Sequence, residues 1–197
     1  MTEPRACASN FRAAFLFDDP PAKPRVPVAL RAPEVVLRSD FDHRIDIWSF
    51  GCYLFEIVVG QPLFSLPPFN PFGQVRVSSD DQFLHMNDDD HLLQMISTLG
   101  PLPPAMFEKW PRSMRYFDQD RNIIRTDVGM SDDPLGPVHI GQLLEQRLQS
   151  YRPQEMTSDE GNHILHVLRS ALQYDPTKRL SATELLSFSW FNCSTHD

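Results

Sequence analysis

The sequence predicts a mainly α fold. Three observations carry this. Apolar residues recur at helical spacing in several separated runs. Proline is frequent, at 18 residues, while glycine is sparse, at 8, which favours helices joined by proline-rich loops over a sheet with many tight turns. Almost no stretch alternates as a half-buried strand would. A chain of 197 residues suffices for one substantial core, or for two small ones.

Taken in order, residues 1–29 hold one apolar patch at 11–17 and then a loop. Asp18-Asp19-Pro20-Pro21 opens that loop, and Pro24 and Pro27 keep it extended, since proline fixes φ and removes an amide donor. Residues 33–37 open a short helix, with Pro33 tolerated in its first turn. From 45 to 59 the apolar positions Ile47, Trp48, Phe50, Leu54, Phe55, Ile57, Val58 and Val59 fall nearly all round a helix. Such a helix is expected to be central and buried on every side. Asp46 stands in its first turn, where a carboxylate complements the dipole, and Gly60 with Pro62 ends it. Residues 65–80 read as a loop carrying Phe69, Pro71 and Phe72.

The run Asp88-Asp89-Asp90 reads as the solvated N-terminus of a helix over 91–99, whose Leu92, Leu93, Met95, Ile96 and Leu99 share a face. Gly100-Pro101-Leu102-Pro103-Pro104 ends it. In the mixed stretch 105–140, Phe107, Trp110, Tyr116 and Phe117 are the expected anchors, and 129–137 is an excursion. Residues 141–151 are amphipathic. Residues 158–174 read as a helix with Ile164, Leu165, Val167, Leu168, Ala171 and Leu172 on its apolar face. Ser181-Ala182-Thr183-Glu184 is a capping box opening a last helix to Leu186, and Trp190 and Phe191 dock the end.

The 18 basic and 26 acidic residues leave a net charge of −8, which disfavours nucleic acid and suits basic partners. Cys7, Cys52 and Cys193 are far apart and odd in number, and the seven histidines complete no zinc spacing. Reduced thiols in a cytoplasmic or nuclear protein are the expectation. The N-terminus lacks the apolar core of a signal peptide, and residues 45–59 are too short and too polar to span a bilayer. His43 and His91 read as cap or surface residues, since neither has a nucleophile or carboxylate partner in a motif.

Three fragments, in order, carry a resemblance: Leu30-Arg31-Ala32-Pro33-Glu34, Asp46-Ile47-Trp48-Ser49-Phe50-Gly51 and Asp175-Pro176-Thr177-Lys178-Arg179. Together they resemble the C-terminal lobe of a eukaryotic protein kinase, over residues 9–193, with 1–8 unassigned and 194–197 a tail. The resemblance implies that Glu34 of the Ala32-Pro33-Glu34 triplet pairs in a buried site with Arg179. It also implies that Asp46, Trp48 and Gly51 belong to the central helix, where the family's Asp holds the catalytic loop. Residues 89–103, with Phe107 and Tyr116-Phe117, are similar to SR-protein kinases (SRPK), of the CMGC group. That family phosphorylates serines in arginine/serine-rich proteins and docks them in an acidic groove. Asp90 keeps one groove acid, whereas the others fall on Gln61 and Ser97, which implies weaker docking of a basic Arg/Ser-rich partner. Arg31, just before the triplet, is with Asp90 a candidate substrate-docking residue that could read a phosphate or a substrate acid; in the CMGC group the matching arginine organises the activation segment, and Pro27, Val28, Ala29 and Leu30 correspond to the place where the residue after the phosphosite is read.

Phosphoryl transfer needs a glycine-rich loop, a strand lysine, a catalytic Asp and a metal-binding Asp. The 197 residues contain no GxGxxG, VAIK-like or HRD-like segment. Ser9-Asn10-Phe11-Arg12 lies where the family's S-D-F-G would lie, so that Asn10 stands for the magnesium-binding Asp and Arg12 for the Gly. An uncharged amide is a poor magnesium ligand, and Arg does not take a glycine-only conformation cheaply. ATP and magnesium serve the intact family; this chain is expected to bind neither, to be catalytically inactive, and to expose an apolar face where the rest of a kinase would pack. A scaffold for basic segments and a chain with no function of its own are the alternatives.

Overall fold

The computed structural model describes residues 14–16, 18–66, 80–124, 142–188 and 191, and over 80–86 it describes the backbone alone. The expectations placed on Asn10, Phe11, Arg12, Phe69, Pro71, Phe72, Trp190 and residues 129–137 lie outside the described residues. The elements are α1 (Pro33–Val36), α2 (Arg44–Val59), α3 (Asp80–Leu99), α4 (Pro104–Phe107), α5 (Leu144–Tyr151), α6 (Ser158–Ala171) and α7 (Ala182–Leu186), with single 3-10 turns at Val28–Leu30, Ser113–Arg115 and Pro176–Lys178. Among the described residues the only extended pairings are two isolated bridges, Leu16 with Asp19 and Phe117 with Ile123.

The fold is organised on α2. Ile45, Trp48, Cys52, Leu54 and Phe55 are buried on it and meet Ile164, Val167, Leu168 and Ala171 of α6. Gly51 permits the approach: a Cβ there would lie 2.9 Å from two atoms of Leu172 and 3.1 Å from the Ala171 Cβ. Gly60 closes α2 at φ 72°, and its N–H donates to Glu56 O at 2.8 Å. Each of these is a backbone position that a larger residue fills only at a cost. The expectation that α2 is buried on every side is corrected, because Tyr53 and Ile57 are 56% and 63% exposed and Glu56 lies between them on an outward face.

Three helix boundaries also differ from the sequence reading. The helix containing His91 begins at Asp80, so Asp88, Asp89 and Asp90 lie within α3 rather than capping it. Residues 142 and 143 precede α5, which starts at Leu144. The chain leaves α6 at Leu172, whose φ of −94° and ψ of 42° are no longer helical, so that Tyr174 points into the core region from outside the helix. The capping boxes behave as the pattern demands. Thr157 Oγ1 accepts from Glu160 N at 3.2 Å while Glu160 accepts from Thr157 N at 2.8 Å, and Ser181 and Glu184 repeat the exchange at 3.2 and 2.7 Å. Phe191 packs on Phe50 with ring centroids 6.2 Å apart, and Phe15 meets Phe41 edge-on at 5.9 Å.

Candidate functional site

The chain before α1 is shaped by its prolines and then fixed to α2. Leu30 N donates to Pro27 O at 2.9 Å, closing the 3-10 turn. Ser49 Oγ, one turn into α2, lies 2.9 Å from Leu30 O and 3.1 Å from Ile45 O. Arg31 Nε donates to Val26 O at 3.2 Å, which turns the guanidinium back over the loop. Residues 27–31 are thereby held as a shelf along the N-terminal half of α2.

The shelf is tied down by one ion pair. Pro33 starts α1 and places Glu34 in its first turn. Arg179, released from the Pro176–Lys178 turn, reaches Glu34 through Nη1 and Nη2, each at 2.7 Å. Its remaining donors reach Gln173 O at 2.8 Å, Arg44 O at 3.0 Å and Tyr174 O at 3.3 Å, and its plane lies over the Trp48 ring at 5.1 Å. The two side chains are 0% and 3% exposed. A guanidinium has five N–H donors, and here each has an acceptor. A desolvated pair is stable only on such terms.

Asp46 lies in the first turn of α2 and is exposed; partial desolvation raises its carboxyl above the usual range, with His43 pulling it back. Ala32, Pro33, Trp48 and Gly51 are all buried around the Glu34–Arg179 pair and the α2–α6 contact.

The three acids of α3 do three different things. Asp88 faces Arg38 at 3.9 Å. Asp89 is buried and accepts from Trp110 Nε1 at 2.7 Å, Arg112 Nε at 2.6 Å, Arg112 Nη2 at 2.8 Å and Tyr116 OH at 3.0 Å. Asp90 is half-buried and accepts from Gln94 Nε2 at 3.0 Å; burial pushes its carboxyl up. Gln94 in turn pairs with both backbone groups of Ser65 at 2.9 Å. Reading the triplet as a helix N-terminus misses Asp89. Its only signal is the set of long donors at Trp110, Arg112 and Tyr116 that must find an acceptor. His91 is the second correction. It is fully buried, edge-on to Phe64 at 5.0 Å, and burial, reinforced by Arg31, lowers its pKa to about 3. His43, at the N-cap position of α2, is exposed.

Two cavities flank α3. One, of about 330 Å³, lies beside the shelf and is lined by Lys23, Arg31, Val35, Arg38, Phe41 and Asp88, with Arg38 held at φ 53°. The other, of about 490 Å³, lies between the end of α3 and α5 and is lined by Gln61, Gln94, Ser97, Gln142, Arg147 and Tyr151. Among the described residues no group of three His, Cys, Asp or Glu side chains is placed to hold a metal, and no helix is long and apolar enough to cross a membrane.

The family model for the protein kinase domain matches residues 26–191. The chain belongs to the protein kinase family. Over 165 residues it is 32% identical to the serine/threonine-protein kinase AFC1 of Arabidopsis thaliana, covering 83% of this chain and 30% of AFC1. It is 29% identical over 164 residues to the dual specificity protein kinase CLK2 of Mus musculus, covering 83% of this chain and 27% of the relative. It is 27% identical over 161 residues to the serine/threonine-protein kinase SRPK of Physarum polycephalum, covering 79% and 31%. Within the kinase family the chain is therefore SRPK-like, of the CMGC group. It spans less than a third of the length of each of these three kinases.

Proposed function

We propose that residues 1–197 form the helical, substrate-binding lobe of an SRPK-like serine/threonine protein kinase, with the lobe running over residues 9–193, and that this chain by itself positions a protein segment without transferring phosphate to it. The observation that carries the reading is the shelf 27–31. It is preformed, fixed to α2 by Ser49 and locked by the fully satisfied Glu34–Arg179 pair. Arg31 at its end lines a cavity of about 330 Å³, large enough for side chains flanking an acceptor serine. A peptide shelf of this kind supplies positioning, which is one large part of phosphoryl-transfer catalysis.

The other part is charge stabilisation at the phosphate and its metal, and the donor set does not fit that role. Asn10, in the position that corresponds to the magnesium-binding Asp, carries an amide, and the sequence supplies no glycine-rich loop, strand lysine or catalytic-loop Asp. No step through ATP or magnesium is therefore assigned to these residues. The testing experiment incubates the 197-residue chain with magnesium, labelled ATP and serine-bearing peptides. No labelled peptide is expected. Turnover above a heat-inactivated control would overturn the non-catalytic half of this reading.

The retained Asp90 favours a second reading of the partner, a basic Arg/Ser-rich segment docking at α3, in keeping with the relative whose name is SRPK. A cytoplasmic or nuclear setting accords with both.

A further inference from the structure

The short helix α1 ends in a turn that pins one hydroxyl residue at the edge of a basic cavity. Arg38 takes φ 53°, in the left-handed region, at the place after a helix where glycine is the usual residue. Arg38 N donates to Val35 O at 3.2 Å, and Ser39 N donates to Glu34 O at 2.8 Å. These are the two bonds of a Schellman turn. Glu34 is locked by Arg179, so the backbone of Ser39 is tied through it to the buried ion pair. A left-handed arginine is less favourable than a glycine in that turn. What it adds is a guanidinium on the cavity of about 330 Å³ that Ser39 also lines.

The charge of that cavity is unbalanced. Lys23, Arg31 and Arg38 line it against Asp88 as its one acid, which leaves two positive charges in excess on a chain of net charge −8. Arg31 uses Nε on Val26 O, and among the described residues its two Nη groups have no acceptor. Lys23 pairs with no carboxylate among them. Arg38 approaches Asp88 only at 3.9 Å, beyond hydrogen-bond distance. Ser39 Oγ has no hydrogen-bond partner among the described residues. Asp40, next in sequence, is exposed and does not line the cavity. A carboxylate entering here would cancel half of the excess charge. A phosphate monoester carries about −1.5 to −2 at pH 7 and offers three acceptor oxygens, which suits both the charge and the three cations.

We infer that Ser39 is a phosphorylation site, and that Lys23, Arg31 and Arg38 receive its phosphate in this cavity. The residue lies in the non-helical connection between α1 and α2 and is partly exposed, so another enzyme can engage it. A separate serine kinase supplies the group from a nucleoside triphosphate. Ser39 Oγ bonds to the γ-phosphorus, and the bond from that phosphorus to the β–γ bridging oxygen breaks. Nucleoside diphosphate leaves, and the hydroxyl proton passes to that kinase's base. The phosphate fills the space that the substrate-lobe reading gives to side chains flanking an acceptor serine, so modification turns peptide holding off. That consequence rests on the reading; the site itself does not.

Two experiments on the full 197-residue chain test the site. In the first, phosphoserine is installed at position 39 during translation, and its second ionisation is followed by phosphorus NMR. Nearby cations favour the dianion, so its pKa should fall about one unit below that of a free phosphopeptide of residues 36–42. Lys23→Gln with Arg38→Gly should remove most of that shift. Both positions are exposed and glycine suits the left-handed turn, so this variant should fold as the parent does. In the second, the unphosphorylated chain is incubated with magnesium, ATP and a serine kinase that selects acids after its target, which Asp40 and Asp42 provide. Mass spectrometry should find phosphate on the peptide containing Ser39, and none there in Ser39→Ala. Equal pKa values in chain and peptide, or a shift that survives in the double variant, would overturn the cavity as the receiver of the phosphate. A Ser39 left unmodified by the kinase would overturn the modification. The phosphate-transfer assay on the unmodified chain judges the non-catalytic reading separately.

Discussion

Arg179 shows why one residue far along the chain controls the shelf near its start. Its five donors meet Glu34 and three backbone carbonyls in a site closed to water. Arg179→Ala leaves a buried carboxylate without its partner, and the loss should be about 3–5 kcal/mol in denaturant titrations. An unchanged midpoint would mean that the pair contributes nothing. His91 gives a pH signature. Its folded-state pKa is about 3 against 6.5 for the free side chain, so the native state keeps it neutral. Below pH 6.5 the unfolded chain binds a proton that the folded chain refuses, and stability is lost as pH falls from about 6.5 towards about 3. From pH 7 to pH 5 the loss should be roughly 2 kcal/mol, and His91→Leu should remove that part of the slope. Arg179 was legible in the sequence through the resemblance of its fragment. His91 was not, because a lone polar residue between Asp90 and Leu92 gives no sign of which face of its helix it occupies.

At the scale of elements, spacing found α2 and α6 as helices because each carries a dense apolar set, although it took α2 for buried on every side. It read α3 poorly. Three consecutive aspartates look like a solvated terminus, yet successive residues on a helix point about 100° apart, and here they point to three separate destinations. The buried one, Asp89, ties the stretch from α4 to Ile123 onto α3. Asp89→Ala should leave the Trp110 and Tyr116 donors without an acceptor and cost about 2–3 kcal/mol. Hydrogen exchange should quicken in residues 104–123 more than in α2 or α6; uniform quickening would contradict this local role. The outward face of α2, with Tyr53 and Ile57, was invisible to a reading that set Ile57 among apolar positions falling nearly all round the helix. Burial on a helix is decided by what the rest of the chain places against it.

For the molecule as a whole, the fold class and the family were legible, and the lining of the cavity between α3 and α5 was not. The former rest on short fragments and dense apolar faces. The latter depends on Arg147, which lies 86 residues from Gln61 in sequence and meets it across one groove only after α2, α3 and α5 have packed. On the proposed reading the chain is a kinase lobe that holds protein and leaves nucleotide alone; the lack of a glycine-rich loop, strand lysine and catalytic-loop Asp in these 197 residues and the fixing of residues 27–31 to α2 support that proposal. Thermal unfolding of the 197-residue chain with and without magnesium and ATP measures this directly, since a ligand that binds the folded state raises the midpoint by mass action. Coincident melting curves are expected at millimolar nucleotide, and a midpoint that climbs with nucleotide concentration would contradict a lobe built only to hold protein.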